Sequence, residues 1–257
     1  MNRLELIQKL NKMLLAEMPE YSESAEQFEN NIPQQRRLLR SLMNVRMPRK
    51  LSDEFVKLQN ELLSDERDEK GVVNIAEITE IQPNIKLWQG DITRLNADAI
   101  VNAANSQMLG CFCPCHSCID NAIHSAAGLQ LREECAEIMR KQGREERTGT
   151  AKITGAYNLP CKYIIHTVGP IINGRLTDKD CEMLKSCYRS CLELAKIHDL
   201  KSIAFCCIST GEFHFPNEKA AKIAIKTVKD FQEECNIEVI FNVFKECDEI
   251  IYQQLLG

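Results

Sequence analysis

One short segment concentrates the side chains of this sequence that could bind a metal ion or react as nucleophiles. The stretch GCFCPCHSC, residues 110–118, contains four cysteines and one histidine. Thiolate and imidazole are ligands that zinc prefers, and a thiolate can also take part in redox chemistry. Gly110 and Pro114 indicate a loop, where packing in an apolar core does not explain so many cysteines. The segment therefore predicts a chemical role.

Zinc binding is the role that the spacing favours. A structural zinc finger usually has a second ligand pair a dozen or more residues away, and no such pair follows this segment. Three protein ligands plus an open position are typical of a catalytic zinc. The spacing leaves open which three of Cys111, Cys113, Cys115, His116 and Cys118 would bind. Two alternatives also stay open: a redox pair, because Cys115 and Cys118 form a C-x-x-C ahead of a helix, and a loop without a ligand.

The composition excludes several classes of function. The chain has 257 residues, of which 44% are hydrophobic and 27% charged, as is ordinary for a soluble globular protein. Its net charge of −5 argues against a general nucleic-acid binder. No stretch approaches the roughly 18 apolar residues of a membrane span, and the amphipathic start does not resemble a signal peptide. We therefore expect a cytoplasmic monomer that binds neither nucleic acid nor membranes.

The thirteen cysteines of the chain predict free thiols rather than disulfides. Their number is odd and the chain is long, so they do not read as the framework of a small secreted domain. Several cysteines outside the loop fall on predicted helices and strands, where a thiol packs as a small apolar side chain. These are Cys187, Cys191, Cys206 and Cys207.

The elements that must position the loop divide the chain in two. Residues 1–70 predict a helical N-terminal extension, with amphipathic helices over 4–18, 33–46 and 51–70. Residues 71–257 alternate strands with helices, which predicts an α/β fold with a largely parallel sheet. The predicted strands are AEITEI, IKLWQG, ADAIVNAA, YIIHTVG, SIAFCCIS and EVIFNVF, and IDNAIHSAAGLQLREECAEIMRK predicts one long helix.

A run of basic residues in the extension predicts a solvated helix face rather than a docking site. Its members are Arg36, Arg37, Arg40, Arg46, Arg49 and Lys50.

Ligands of such sheets bind at the carboxyl ends of the strands, which selects four loops. They are 90–92, 102–120, 166–169 and 209–216. No Lys or Arg occurs over 102–119 or 206–215, so we expect backbone N–H groups and helix N-termini to hold an anionic ligand there. Ser209-Thr210-Gly211 is suited to a phosphate, and Asp91 to an exocyclic amine.

Five motifs of the chain occur in the order of one known family. They are GDITRLNADAIVNAANSQMLG, IDNAIHSAAG, GTAKITGAYNLPCKYIIHTVGP, STGEFHFP and VIFNVF. Over about residues 75–257 the chain resembles the macrodomain, an ADP-ribose-binding fold, and especially its branch that removes ADP-ribose from proteins. The resemblance implies a three-layer α/β/α sandwich with a mostly parallel mixed sheet. The stretch GCFCPCHSC replaces the usual glycines, and with the extension it is similar to the zinc-dependent microbial macrodomains.

The resemblance implies binding roles for the matching positions. Asp91 and Ile92 would hold adenine near Phe244, and Asn102 and Asn105 would line the distal ribose pocket. The diphosphate would be wrapped by the backbone of Ser209, Thr210, Gly211, Glu212 and Phe213.

The resemblance also implies the metal ligands and the reaction. The zinc branch has the ligand pattern C-x4-H-x-C, which only Cys111, His116 and Cys118 satisfy here. It implies a zinc-dependent hydrolase of mono-ADP-ribosylated proteins, with Asp120 and Asn105 as catalytic residues.

Some alternatives to these implied roles stay open. Asp120 could instead cap the helix that begins near it. Another possibility is a non-catalytic ADP-ribose reader with a structural zinc, and a further one is a deacylase of O-acyl-ADP-ribose. His166, in YIIHTVG, is interpreted as structural.

Overall fold

A single mixed sheet forms the centre of the computed structural model, which describes all 257 residues. The strands are β1 (Glu80–Gln82), β2 (Ile85–Gln89), β3 (Ala99–Ala104), β4 (Ala151–Gly155), β5 (Tyr163–Val168), β6 (Ser202–Phe205) and β7 (Glu238–Val243). Their order is β1-β2-β7-β6-β3-β5-β4. The five inner strands pair in parallel, and β1 and β4 pair antiparallel at the two edges.

The chain has nine α-helices; the four before residue 71 form the N-terminal extension, and the five after residue 118 cover the faces of the sheet. They are α1 (Arg3–Glu17), α2 (Ser22–Ala25), α3 (Ile32–Val45), α4 (Asp53–Lys70), α5 (Ile119–Ala127), α6 (Leu129–Gln142), α7 (Asp178–Ile197), α8 (Asn217–Gln232) and α9 (Glu246–Leu256). Nearly all residues of β3, β5, β6 and β7 are buried, because helices cover both faces of the sheet. The result is a three-layer α/β/α sandwich, which confirms the fold class expected from the sequence.

The predicted strand AEITEI is wrong for most of its length. Residues Ile75–Glu77 form a 3-10 turn, because the Asn74 side chain accepts a hydrogen bond from the Ala76 N–H. Only β1 remains extended, as a short strand at the sheet edge. The edge strand β4 was not predicted at all, since its half-buried residues show no strong apolar run.

The long helix predicted over residues 119–141 is two helices, and Gly128 separates them. Gly128 has φ +99° and ψ 172°, a region that residues with a side chain rarely enter. The following amide, Leu129 N–H, donates to Gln59 Oε1 at 2.9 Å instead of continuing the helix. A helix of the extension, α4, therefore helps to set this break.

The Gly128 break can be tested by adding one methyl group. An alanine Cβ at this position would lie 2.5 Å from Gln59 Nε2, and its φ would be strained. We expect Gly128→Ala to lower the free energy of unfolding by about 2 to 3 kcal/mol in urea titrations. The control is Gly143→Ala, which has φ +72° but no neighbour within 4 Å and should lose only about 1 kcal/mol. Equal losses in both variants would contradict a steric role for Gly128.

The N-terminal extension has an apolar cluster of its own. Helices α1, α3 and α4 pack together around 15 buried residues, which include Leu129 from α6. Ser52 caps α4 by accepting a hydrogen bond from the Phe55 N–H, as its position before the helix predicts. No helix of the protein combines the length and the apolarity that crossing a membrane requires.

Only half of the basic run forms the solvated surface that the sequence indicated. Its exposed members are Arg37, Arg49 and Lys50. Arg46 is only 1% exposed, and its Nε donates to Glu17 Oε2 at 2.7 Å. Arg36 binds Glu66 through two hydrogen bonds. A charge run cannot reveal such partners, because they lie on other helices.

All thirteen cysteines are free thiols, as the sequence predicts. Cys187, Cys191 and Cys206 are buried in the core under the sheet. Cys207 is half-buried, with its Sγ 3.9 Å from the Asn242 carbonyl oxygen.

Candidate active site

The four loops selected from the sequence open at one edge of the sheet. They follow β2, β3, β5 and β6, all of which run parallel, so their carboxyl ends lie side by side. Together they line a cleft with three distinct parts, which are the Asp91 end, the Ser209 loop (residues 209–215) and the cysteine loop (residues 110–118).

Asn242 fixes the Asp91 end of the cleft. Its Nδ2 donates to the Gly90 carbonyl oxygen at 3.0 Å, and the Gly90 N–H donates to the Val243 carbonyl oxygen at 2.9 Å. These bonds hold Asp91 beside Phe244, the residue that follows β7. The Phe244 side chain is 76% exposed, which leaves an aromatic face available for stacking.

The Ser209 loop presents backbone donors to the cleft. Ser209 and His214 both have positive φ, and the Phe215 N–H closes the loop on the Ser209 carbonyl oxygen at 2.9 Å. The N–H groups of Gly211, Glu212 and Phe213 make no hydrogen bond within the protein. Successive free N–H groups of this kind suit an anionic ligand.

Gly169, at the end of β5, lets the Ser209 loop approach closely. A Cβ at this glycine would lie 1.9 Å from Ser209 Oγ, so a larger residue would require at least the Ser209 side chain to move.

The cysteine loop brings three zinc-type donors together. The ligand atoms of Cys111, His116 and Cys118 all lie within 4.8 Å of one another, whereas Cys113 and Cys115 lie outside this cluster. The Nδ1 atom of His116 is buried and has no hydrogen-bond partner. Two thiols and an otherwise unpaired imidazole nitrogen match the donor chemistry of zinc, so the cluster fits this metal.

Cys118 has a second role as the N-cap of α5. Its Sγ accepts a hydrogen bond from the Asn121 N–H at 3.4 Å. Burial raises the pKa of the Cys118 thiol to about 12, against the lowering effect of that N–H. A metal ion binding here must therefore displace a proton from sulfur. Because Cys118 caps the helix, the alternative that Asp120 does so is wrong.

Asp120 lies just inside the same helix end and is only 5% exposed. Asn102 Nδ2 donates to its Oδ1 at 2.8 Å, and Asn105 Nδ2 lies 3.4 Å from its Oδ2. Burial raises the pKa of Asp120 to about 6, although the Asn102 hydrogen bond and the Arg132 charge lower it. The carboxylate is thus held at the base of the cleft in one orientation.

Asn102 lies behind Asp120 rather than on the open wall of the cleft, since its side chain has no exposed surface. Its Nδ2 also lies 3.1 Å from His166 Nδ1, and His166 Nε2 lies 2.9 Å from Thr154 Oγ1. Burial lowers the pKa of His166 to about 3, so this ring is neutral at physiological pH. A buried, neutral and hydrogen-bonded ring agrees with the structural interpretation of His166.

The two loops approach each other across the cleft. His116 Nε2 lies 3.8 Å from Glu212 Oε1, so the cysteine loop and the Ser209 loop form adjoining walls. Asn105 connects the start of the cysteine loop to the end of β3, because its Nδ2 donates to the Gly110 carbonyl oxygen at 3.1 Å.

Two arginines contact the cysteine loop, which sequence reasoning did not predict. Arg132 of α6 lies over the Phe112 ring at 4.5 Å and donates to the Leu109 carbonyl oxygen at 2.7 Å. Arg40 of α3 donates to the His116 carbonyl oxygen at 3.1 Å. The loop sequences themselves lack basic residues, so the only available signal was the basic run of the extension for Arg40, and there was none for Arg132.

The sandwich and its cleft define an α/β protein that can bind a ligand with an aromatic, an anionic and a polar part. Residues 101–224 match the Macro domain family. A protein-ADP-ribose hydrolase of Treponema medium is 52% identical over 254 residues, which cover 96% of this chain and 97% of that protein. One of Staphylococcus aureus (strain MSSA476) is 51% identical over 221 residues, 84% of this chain and 83% of that protein.

Solved structures give the same answer. The Trypanosoma brucei macrodomain in complex with ADP-ribose has a TM-score of 0.67 at 33% identity, over 81% of this chain and 92% of that one. The chain belongs to the macrodomain family.

The buried network around Asp120 can be tested through Asn102. Asn102→Ala removes the amide that contacts two buried atoms, Asp120 Oδ1 and His166 Nδ1, so we expect the free energy of unfolding to fall by about 2 to 4 kcal/mol. Urea titration measures the loss. The control is Asn236→Ala, which removes an exposed amide bonded to Asn84 and should cost under about 1 kcal/mol. A small loss for Asn102→Ala would show that the network contributes little.

Proposed function

We propose that the protein is a zinc-dependent hydrolase that removes ADP-ribose from mono-ADP-ribosylated proteins. The observation that carries this proposal is the placement of Asp120. Its buried carboxylate follows Cys118 by two residues at the end of a cleft whose adjoining wall is the Ser209 loop. Relatives that share about half of their residues with this chain are named protein-ADP-ribose hydrolases, which supports the same activity.

The cleft suits each part of ADP-ribose. Asp91 can accept a hydrogen bond from the adenine amine, and Phe244 offers its exposed ring to the base. The free N–H groups of the Ser209 loop can hold the diphosphate without a Lys or Arg. This order leaves the distal ribose beside Asp120 and the cysteine loop, since His116 and Glu212 are neighbours.

With the distal ribose beside Asp120, this carboxylate can act as the general base for hydrolysis at C1″. The oxygen of a water molecule forms a bond to C1″ of the distal ribose while the bond from C1″ to the protein side chain breaks. Positive charge develops on the sugar as in other glycosyl transfers, and the nearby carboxylate stabilises it. Asp120 accepts the proton of the water, and the departing side chain takes up a proton from solvent. Asn105 fixes the position of Asp120 relative to the cysteine loop, because its Nδ2 contacts both.

The residues that would hold the metal are Cys111, His116 and Cys118. When bound, zinc supplies a positive charge and Lewis acidity close to the distal ribose. That charge would replace the basic side chains that the two loop sequences lack.

Zinc removal tests the catalytic role of the metal. We expect a fully chelated protein to release labelled ADP-ribose from a modified protein at least about 100-fold more slowly, with recovery on adding one equivalent of zinc. His116→Ala should behave like the chelated protein, and the control His198→Ala, at an exposed histidine directly after α7, should not. Unchanged release after complete zinc removal would refute the role.

The same substrates separate a hydrolase from a reader. Calorimetric binding of ADP-ribose, together with no turnover on Ser-, Asp/Glu- or Arg-linked substrates, would identify a non-catalytic reader. Preferential turnover of O-acyl-ADP-ribose in competition would identify a deacylase.

Phe244 tests the placement of adenine. Phe244→Ala removes the exposed ring, so we expect the Kd for ADP-ribose to rise by about 10-fold, since stacking on an aromatic ring contributes about 1 to 3 kcal/mol per base. Because the ring is 76% exposed, thermal stability should stay unchanged. Ile197→Ala, at a 73% exposed apolar position on α7, serves as the matched control for calorimetry. An unchanged Kd in Phe244→Ala would place adenine elsewhere.

A further inference from the structure

Helix α3 of the N-terminal extension is fastened to the cysteine loop through Arg40. One nitrogen of its guanidinium, Nη2, donates to the His116 carbonyl oxygen at 3.1 Å and to Asn121 Oδ1 at 2.7 Å. The Nε atom of Arg40 donates to the same Asn121 oxygen at 3.2 Å. Arg40 thus forms a direct hydrogen bond with the backbone of His116, one of the three residues of the ligand cluster.

Asn121 links Arg40 to a second position of the loop, Cys113. This side chain is completely buried, and its Nδ2 donates to the Cys113 carbonyl oxygen at 2.9 Å. Its Oδ1 also accepts a hydrogen bond from Ser125 Oγ at 3.2 Å. Arg40 and Asn121 together hold the loop at Cys113 and at His116, on both sides of its turn.

Cys115 provides a third attachment to the same helix. Its N–H donates to Asn44 Oδ1 at 2.8 Å, and its Sγ lies 3.3 Å from Ser41 Oγ. The backbone of Cys115 has φ +53°, a left-handed conformation that is uncommon for a residue with a side chain. Contacts to α3 therefore stabilise a conformation that the loop would rarely adopt alone.

The residues of the cysteine loop fall into two groups, one that forms the ligand cluster and one that attaches the loop to neighbouring helices. Cys111, His116 and Cys118 converge on one another, while Cys113 and Cys115 contact α5 and α3 through backbone or sulfur atoms. Between Gly110 and Ser117 the loop contains no helix or strand, and the His116 N–H to Cys113 carbonyl bond at 3.3 Å is its one internal backbone hydrogen bond. Contacts with other parts of the protein therefore set its conformation, and α3 supplies those at Cys115 and His116.

We propose that α3 presets the geometry of the zinc ligands, and that Arg40 is the positioning residue through which it acts on His116. This inference rests on the proposed zinc site. The physical reason is preorganisation: a loop already held in its binding conformation loses less conformational freedom when it binds a metal. The extension is then part of the active site, although none of its residues belongs to the ligand cluster.

The test compares zinc affinity in variants of the full chain by competition with a chromophoric chelator. Arg40→Gln removes the charge and the two-point grip, so we expect zinc affinity to fall by about 10- to 100-fold. Arg40→Lys keeps the charge but not the planar fork, and should fall by an intermediate factor. Arg37→Gln, at an exposed position on the same helix, is the matched control and should bind zinc like the unmodified protein.

Two further readouts separate positioning from general loss of structure. The Kd for ADP-ribose of the Arg40 variants should stay within about twofold of the unmodified protein, and kcat should recover when zinc is raised to saturation. Equal zinc affinity in Arg40→Gln and the unmodified protein would overturn this inference and leave the proposed function standing. Absence of zinc binding by the unmodified protein would overturn both. If Arg40→Gln does not fold, Arg40→Lys decides between the same outcomes.

Discussion

The site depends on the N-terminal end of α5, where the Cys118 thiol and the Asp120 carboxylate are shielded from solvent next to each other. Cys118 caps the helix and Asp120 lies buried two residues later. Burial raises the pKa of both groups, so each is costly to ionise on its own. A bound cation at this place would offset that cost for both of them. The helix dipole favours the same anionic forms, and the Asn121 N–H reaches the sulfur directly.

The other parts of the protein serve to hold that helix end and to face it. The parallel strands bring the Ser209 loop opposite the cysteine loop, and Asn242 keeps Phe244 and Asp91 at the far end. The buried Asn102 orients Asp120 through a hydrogen bond, and α3, which lies outside the sandwich, binds the cysteine loop through Arg40. The similarity to the Treponema medium hydrolase extends over 96% of this chain, so the extension belongs to the shared unit and not only the sandwich.

Local patterns in the sequence were enough for most of the sheet and for the location of the cleft. Buried inner strands are apolar runs, and parallel pairing forces their carboxyl ends to one edge. The sequence could not show that Gly128 breaks a helix, because the break depends on contact with Gln59, which is distant in sequence. It could not show Arg40 at the cysteine loop for the same reason. Half-exposed β4 had no apolar run to reveal it.

X-ray absorption at the zinc edge of the zinc-loaded protein tests the central claim most directly. The arrangement of Cys111, His116 and Cys118 predicts two sulfur atoms at about 2.3 Å and one imidazole nitrogen at about 2.0 Å, with the remaining position filled by oxygen. A third sulfur ligand would show that Cys113 or Cys115 also binds, and four would show that both bind in place of His116 and that the site is closed. A shell of oxygen atoms alone would contradict a zinc site in this loop.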